Sequence, residues 1–360
     1  MATATTAKQR VLVDAERLER FAVAAFAHAG MPEHDAQVSA RGLVLADLRG
    51  HESHGVSSAL FGYLEGLRTG GVNARPNIRI VQDSAAITRW DGDLGHGYVV
   101  GERVMREVIK RADQYGCAFA SVGRSRHYGM AQYYSLMALE HGQIGLSMTN
   151  SHGAGVTPFG GAEARYETNP ISVAAPAGEE APFVLDMATS TAAAGKIAVA
   201  ARDGVPIPPT WALGTDGRPT TDPDDALAAL RLLPLGATKE GAGHKGSVLA
   251  LWVDIMCGAL SMRGFHGATD DPTEVNHFFG AWKIEAFGPV AEYRELMDAK
   301  LRLIRETPPR DGFERVLHAG QPEWELQRER EANGIPLHPS VVEKLRALGA
   351  EMGVPFDAAR

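Results

Sequence analysis

Hydrophobic side chains in the N-terminal part of the chain recur at helical spacing. After Asp14, a residue type that often caps helices, apolar positions follow one another every three or four residues until Gly30. This pattern predicts a first helix, and similar patterns predict a second from about residue 32 to residue 48 and a third over residues 57–67. We therefore expect the chain to begin with helices.

From residue 78 onward, short apolar runs alternate with amphipathic stretches. Strands separated by helices are typical of a layered α/β core. Residues 204–224, rich in Pro, Gly, Asp and Thr, are predicted to form a long surface excursion, and two polar helices are expected over 323–332 and 339–348. The predicted core strands are 78–81, 86–90, 118–122, 144–148, 171–174 and 183–185, and the predicted core helices are 105–112, 128–140, 247–260 and 291–304.

Composition narrows the class of protein. The 360 residues are 44% hydrophobic and 22% charged, as in folded proteins, and the net charge of −8 disfavours a nucleic-acid-binding surface. No apolar run approaches the ~20 residues that cross a bilayer, and residues 1–10 lack the apolar stretch of a signal peptide. The two cysteines, Cys117 and Cys257, lie in apolar segments, which suits reduced thiols. We expect a soluble, cytoplasmic enzyme that acts on a small molecule, not on nucleic acid or membrane.

A glycine-rich segment, Gly95 to Gly101, follows a predicted strand and begins a predicted helix. This placement is typical of dinucleotide-binding loops, in which glycines let a pyrophosphate approach a helix N-terminus, and Arg124 after the next strand would then face a 2′-phosphate. The spacing, however, is GxGxxxG instead of GxGxxG. The alternative, a purely structural glycine loop, is favoured by that spacing.

A second segment resembles a phosphate-binding loop but does not match its motif. The GxxxxGK[ST] spacing fails because Ala242 follows Gly241. What remains is Lys245, flanked by glycine and followed by an apolar helix. Its ammonium and the neighbouring backbone N–H groups would bind an anion, and the alternative is a solvated loop lysine.

Three of the thirteen histidines stand at positions suited to chemistry. His51 and His54 form an HxxH pair, but no third metal ligand stands at a recognisable spacing. His127 follows the predicted strand 118–122, and ligands of open α/β sheets gather at the carboxyl ends of strands. Because imidazole titrates near neutral pH, His127 is the candidate acid and base.

Other polar residues follow other predicted strands. Asn150, Thr168 and Asn169 either line a site or are ordinary turn residues. Asp186 follows the strand 183–185, where it either caps the next segment or accepts a hydrogen bond from a ribose hydroxyl.

Short motifs follow one another in order along nearly the whole chain, and none is specific alone. In this order they resemble the type 2 malate/lactate dehydrogenase family, also called sulfolactate dehydrogenase-like, which includes ureidoglycolate dehydrogenase, diketogulonate reductase and piperideine-2-carboxylate reductase. The motifs are Ala46-Asp47-Leu48-Arg49-Gly50, Ser53-His54-Gly55, Arg126-His127-Tyr128-Gly129, Pro158-Phe159-Gly160-Gly161, Thr168-Asn169-Pro170, Leu185-Asp186-Met187-Ala188-Thr189-Ser190, Gly195-Lys196, Leu233-Pro234-Leu235-Gly236, Lys245-Gly246 and Gly334-Ile335-Pro336-Leu337.

The resemblance implies a fold and a division of the chain. It implies a homodimer with a three-layer α/β core of mixed sheet that binds NAD or NADP without a Rossmann fingerprint. Residues 1–76 would form a helical N-terminal segment lining the substrate site, residues 77–317 the cofactor- and substrate-binding α/β core, and residues 318–360 a C-terminal helical segment packing with the N-terminal part.

The resemblance also implies roles for individual residues. His127 takes the acid/base role, and no metal ligand is expected. The predicted substrate-binding residues are Ser53, His54, Phe61, Tyr63, Asn150, Thr168 and Asn169, and the predicted cofactor-binding residues are Ala131, Asp186, Met187, Ala188, Lys245, Gly246, Gly320 and Gln321.

The expected reaction is hydride transfer between NAD(P)H and a 2-oxo acid or 2-hydroxy acid, with His127 giving or taking the proton. A reductase of cyclic or N-alkyl imino acids needs the same geometry and is the first alternative. A metallohydrolase built on His51 and His54 is the alternative from another class.

Three departures from the family pattern bear on the site. Glu167 replaces the usual glycine before Thr168, and residues 239–244 lengthen the loop before Lys245. The arginine that commonly grips a substrate carboxylate is missing, because Phe61, or Ser58 in a shorter register, stands in its place. Either another arginine, Arg49 or Arg126, replaces it, or a larger or less acidic substrate is preferred to dicarboxylates.

Overall fold

In the computed structural model, helices surround one large sheet, and two short two-stranded sheets flank it. The structure describes residues 10–268 and 271–357; residues 1–9, for which the sequence predicts no signal peptide, lie outside them. No helix in this described part is long and apolar enough to cross a membrane. In chain order the elements are β1 (Val11–Val13), α1 (Ala15–His28), α2 (Glu33–Leu48), α3 (Leu60–Arg68), β2 (Arg79–Ser84), β3 (Ile87–Gly95), α4 (Gly97–Tyr115), β4 (Cys117–Ser125), α5 (Gln132–Met137), β5 (Gln143–Ser151), β6 (Ile171–Ala175), β7 (Phe183–Met187), α6 (Ala194–Asp203), β8 (Ala212–Leu213), α7 (Pro223–Ala229), β9 (Arg231–Leu232), α8 (His244–Val253), β10 (Val275–Lys283), α9 (Val290–Arg305), α10 (Gln321–Asn333), β11 (Ile335–Leu337) and α11 (Pro339–Met352).

The large sheet has seven strands in the order β2-β3-β4-β10-β5-β6-β7. Strands β3 and β4 run parallel, whereas the other described neighbours run antiparallel. The mixed α/β fold expected from the sequence is therefore confirmed. The central strand, β10, was missing from the sequence prediction. Its residues 275–281 are all buried, so it lacks the polar–apolar alternation that marks a half-exposed strand.

Helices cover both faces of this sheet. Successive residues of a strand point to opposite faces, and Phe278 and Phe279 of β10 accordingly belong to different clusters. Phe279 packs in the main core with residues of α4, while Phe278 packs with Met148 and with Cys257, which lies in a π-helical turn that continues α8. The sheet is thus the middle of three layers.

Several predicted boundaries were wrong. The helix predicted over 128–140 begins at Gln132 and ends at Met137, because Gly129 has a φ of +71°, which breaks a helix. The helix predicted over 247–260 begins earlier, at His244, and changes to the π-helical turn at Asp254. The predicted excursion 204–224 contains β8, which pairs with β9.

The two ends of the chain pack against each other. Strand β1 pairs antiparallel with β11, and α11 packs on α1. From α10, Arg330 donates a hydrogen bond to the backbone oxygen of Asp47, and Gln327 accepts one from Arg49 at 2.9 Å. The C-terminal helices therefore support the end of α2, just before the segment that carries Ser53 and His54.

Protein atoms pack closely against the glycines between residues 95 and 101. A Cβ at Gly97 would lie 2.4 Å from the backbone oxygens of both Arg126 and His127, and a Cβ at Gly101 would lie 2.5 Å from the ring of Tyr134. The glycines thus let the start of α4 approach the backbone of the segment that follows β4. This close packing is what the structural alternative for the segment requires.

We expect Gly97→Ala to destabilise the fold by about 2 kcal/mol or more, because the added methyl group overlaps backbone atoms that have no rotamer to escape to. The matched control is Gly62→Ala on α3, where a Cβ would meet nothing within 4 Å; alanine is the better helix former there and should leave stability unchanged or slightly higher. Urea unfolding of both variants measures the difference. Equal midpoints would contradict the packing role of Gly97.

Candidate active site

His127 lies in the segment between the end of β4 and the start of α5. The Tyr63 hydroxyl is 2.6 Å from its Nδ1, and the backbone N–H of Gly129 donates to the same atom at 3.4 Å. Because a backbone N–H can only donate, Nδ1 of the neutral ring is the acceptor, and the proton sits on Nε2. Within residues 10–268 and 271–357 no hydrogen-bond partner is found for Nε2, which leaves it for a substrate.

His54 stacks against His127. The two ring centroids are 5.6 Å apart with an interplanar angle of 15°, and the hydroxyl of Ser53 is hydrogen-bonded to Nδ1 of His54 at 2.9 Å. Both residues come from the short 3₁₀ turn Glu52–His54 that follows α2. The structure therefore brings together four predicted residues, Ser53, His54, Tyr63 and His127.

Desolvation by the surrounding protein atoms keeps these imidazoles neutral, although His127 is exposed and His54 is partly buried. It lowers the pKa of His127 to about 4, with a further contribution from neighbouring His54, and it lowers the pKa of His54 as well. A neutral imidazole both donates and accepts a hydrogen bond, so each ring carries no net charge and has one nitrogen without a partner among the described residues.

Charged groups lie beside this pair, and Gln132 connects them. The Nε of Arg49 donates to the side-chain oxygen of Gln132 at 2.5 Å, and the amide nitrogen of that side chain donates to Nε2 of His51 at 2.8 Å. The backbone N–H of Gln132 donates to Asp186 at 3.1 Å. Burial raises the pKa of Asp186 to about 6, although the bonds from Gln132 oppose the rise.

The metallohydrolase alternative needs His51 as a metal ligand, and the contacts of His51 disfavour that role. Its Nε2 is taken by Gln132, and no cluster of three or more metal-ligating side chains exists among the residues that the structure describes. The paired histidines of the HxxH segment thus serve different hydrogen bonds, one to Gln132 and one to Ser53.

Several of the predicted cofactor-binding residues contact β7 or residues next to it, and β7 itself contains Asp186 and Met187. Ala131 precedes Gln132, the residue bonded to Asp186. Gly320 lies against Val184 of β7, where a Cβ would come within 2.7 Å of the valine side chain. Gly246 packs equally closely on Leu235, whose N–H is bonded to Thr189 next to Ala188. Lys245 is exposed beside Gly246, and the side chain of Gln321 donates to Glu325.

The remaining predicted substrate residues are held by other partners. The side-chain amides of Asn150 and Asn169 both donate to buried Asp254, at 2.9 and 3.0 Å. Thr168 uses its backbone oxygen to accept bonds from Thr189. Lys344 of α11 is 6.0 Å from the ring centroid of Phe61. These contacts tie the four residues to structural neighbours, and none of them involves His127.

Arg126 and Arg49, the two arginines considered as substitutes for the missing carboxylate-binding arginine, differ in their contacts. Arg126 is engaged through Nε, which donates to the Gly71 carbonyl, and through one terminal nitrogen, which donates to Asp271 and Thr273. Arg49 is buried and bonded to Gln132 and Gln327, and one of its terminal nitrogens has no partner among the described residues. Ser58 is exposed.

Sequence reasoning missed Gln132 and Gln327, which orient Arg49 and through it the surroundings of His51. No motif marks them, because each is a single polar residue on a helix. The available signal was the charged residues Asp47 and Arg49 after the apolar run 42–46, because charged residues in an apolar segment require buried partners.

The chain is similar in sequence and in fold to known proteins. A family model described as malate/L-lactate dehydrogenase matches residues 13–346. Malate dehydrogenase of Pyrococcus horikoshii is 40% identical over 349 residues, which cover 96% of each chain. L-sulfolactate dehydrogenase of Methanocaldococcus jannaschii is 35% identical over 91% of this chain and 93% of its own. The crystal structure of malate dehydrogenase from Entamoeba histolytica superposes with a TM-score of 0.92 at 29% identity, covering 96% of this chain and 99% of that one.

We expect the His127 ring to stay neutral, with its proton on Nε2, down to about pH 5, because desolvation lowers its pKa to about 4. Tyr63→Phe removes a donor to Nδ1 and should shift the neutral ring toward a mixture of tautomers, whereas Tyr115→Phe, at the exposed end of α4, should not. Nitrogen NMR of labelled imidazoles across a pH titration reports both quantities. A midpoint near 6.5, or a proton found on Nδ1 in the parent protein, would contradict the prediction.

Proposed function

The chain belongs to the malate/L-lactate dehydrogenase family, and we propose that it interconverts 2-oxo acids and 2-hydroxy acids with NAD or NADP. The observation that carries the proposal is His127, which follows β4, is fixed through Nδ1 by Tyr63 and is left with an accessible Nε2 for a substrate oxygen. Hydroxy-acid dehydrogenation needs such a proton donor and acceptor next to the carbon that exchanges hydride.

The proposed mechanism divides the work between cofactor and chain. When bound, the nicotinamide supplies or accepts the hydride. In reduction, the His127 ring protonated at both nitrogens gives its Nε2 proton to the oxygen that gains charge. In oxidation the ring takes the hydroxyl proton at Nε2, with its own proton moved to Nδ1, where the Tyr63 oxygen accepts it. The Tyr63 hydroxyl both donates and accepts, so it remains bonded to Nδ1 in either protonation state of His127. We assign substrate binding to His54, which stacks on the His127 ring, and to Ser53, which is bonded to His54.

The cofactor is proposed to lie at the end of β7 and not on the loop between Gly95 and Gly101. The glycines of that loop face protein atoms, whereas Asp186 lies on β7, bonded to the residue that follows Ala131. Asp186 offers a carboxylate for a ribose hydroxyl. Lys245 offers an ammonium in the first turn of α8, where the helix dipole favours an anion such as a diphosphate.

A homodimer is proposed from the surface of α8. Its residues Val248, Leu251, Trp252 and the following Ile255 are spaced as one helical face, and each remains 43–63% exposed in the single chain. A contiguous apolar face of this kind is typical of a surface covered by another chain.

The two cysteines support a reducing compartment such as the cytoplasm. Both are free, Cys257 buried and Cys117 partly buried. Unpaired thiols are the usual state of cysteine in such compartments.

His127→Asn tests the proposed reaction. We expect kcat to fall about 100-fold or more, the usual scale of general acid–base catalysis, with NAD(P)H affinity nearly unchanged. His54→Ala should mainly raise KM, and His28→Asn, exposed at the end of α1, should change neither constant. The assay is a panel of 2-oxo acids and cyclic imines with NADH and with NADPH. A kcat within threefold of the parent would remove His127 from the mechanism, and faster turnover of the imines would favour the imino-acid alternative.

Lys245→Ala tests the placement of the cofactor. Loss of the ammonium should weaken NADH or NADPH binding about tenfold without changing the order of substrate preference, because one charge-assisted hydrogen bond is lost. Lys239→Ala, which removes the same charge from the exposed segment just before α8, serves as the control. Fluorescence titration with each dinucleotide measures the affinities. Equal effects of the two substitutions would show only a general loss of charge.

The substrate is proposed to be larger or less acidic than a dicarboxylate, because Arg126 is engaged, Arg49 is buried and Ser58 carries no charge. Ser58→Arg should raise kcat/KM for oxaloacetate about tenfold or more, since an arginine binds a carboxylate through two hydrogen bonds. Phe61→Arg is the control: it would place the charge near Lys344, where we expect little gain. If oxaloacetate or pyruvate is already the best substrate of the parent protein, the proposal based on the missing carboxylate-binding arginine is wrong.

A further inference from the structure

Asp47, in the last turn of α2, is bonded to the turn that carries Ser53 and His54. Its Oδ2 accepts a hydrogen bond from the backbone N–H of Val56 at 2.8 Å. The two residues are nine positions apart, so this bond closes the whole connection between α2 and the segment leading to α3. Val56 is itself fully buried, which fixes the far end of the turn in the core.

Gly55 allows this approach. Its φ of −89° is open to any residue, so no backbone strain demands glycine here. A Cβ, however, would lie 2.0 Å from Oδ1 of Asp47. The absence of a side chain at Gly55 therefore serves the contact with the carboxylate, directly next to His54.

The rest of the turn is held from outside by α10. Arg330 donates to the backbone oxygen of Asp47 and forms an ion pair with Glu52 at 3.6 Å. The backbone N–H of His51 donates to Ala46 at 2.8 Å. Each end of the turn is thus attached to a helix, and Asp47 supplies the attachment on the inner side.

Burying a carboxylic acid destabilises a fold, and the proposed reaction assigns no role to the buried Asp47. Asp47 has no exposed surface, its Oδ1 has no partner among the described residues, and burial raises its pKa to about 7. A buried polar group with incomplete partners destabilises a fold, so the bond that Asp47 does make calls for an explanation. Here the remaining bond orders the backbone two residues after His54.

We propose that Asp47 is a positioning residue that holds Ser53 and His54 in register with His127 through its bonds to the turn at Gly55 and Val56. The inference rests on the proposed function, because it takes His54 to be part of the substrate site. The stacking of His54 on His127 is the geometry that Asp47 preserves. Loosening the turn should weaken substrate binding more than it slows the proton transfer carried out by His127.

The test compares Asp47→Ala with Asp47→Asn, whose amide oxygen can still accept from Val56. Asp47→Ala should raise KM about tenfold, the effect of one lost hydrogen bond, while kcat stays within about threefold, and Asp47→Asn should recover most of the loss. Asp298→Ala is the matched control: that carboxylate also accepts backbone N–H bonds from a turn, at residues 178–180, but that turn carries no predicted site residue. It should leave KM unchanged.

Hydrogen exchange gives a readout that does not depend on turnover. Amides of residues 51–57 should exchange faster in Asp47→Ala than in the parent, with residues 126–131 unchanged. Unchanged exchange in the turn would overturn the proposal, and so would faster exchange with an unaltered KM. If the parent reduces none of the tested substrates, the proposed function fails, while the exchange experiment still decides whether Asp47 holds the turn.

Gly55→Ala keeps the inference testable if Asp47→Ala does not fold. The added methyl group meets Oδ1 of Asp47 and pushes the turn away while the acid is retained. The same rise in KM and the same faster exchange of residues 51–57 are expected. Parent-like values for both would overturn the proposal.

Discussion

Desolvation of the histidine rings in and around the site governs the polar framework near His127. It lowers the pKa of His51 and His127 to about 4, and that of His96 and His277 to about 3, so all four rings are neutral near pH 7. A buried neutral imidazole needs partners. Ser39 is bonded to His96, and Thr149 and Ser125 are bonded to His277. Much of the polar framework exists to satisfy these rings.

The same requirement explains why distant parts of the chain converge on one place. Arg49 is buried, and its bonds to Gln132 and Gln327 join α2 to α5 and to α10. Gln132 then reaches Asp186 on β7. One buried cation thus links the N-terminal helices, the sheet and the C-terminal helices, and truncating any one of the three would leave buried polar groups without partners.

Close packing of backbone segments at two glycines also shapes the site. The start of α4 lies against the segment that carries His127 because Gly97 has no side chain, and the turn after His54 lies against Asp47 because Gly55 has none. In both places glycine serves tight packing, and neither residue has a positive φ. Glycine motifs near an active site therefore need not mark a bound phosphate.

By itself the sequence determined the helical N-terminal part, the mixed α/β class, the family and His127 at a strand end, because periodicity and motif order are local properties of the chain. It missed β10, since a strand buried on both faces lacks alternation. It could not separate Ser53, His54 and Tyr63, which meet His127, from Asn150 and Asn169, which bind Asp254. All five have polar side chains, and only tertiary packing decides which partner each one reaches.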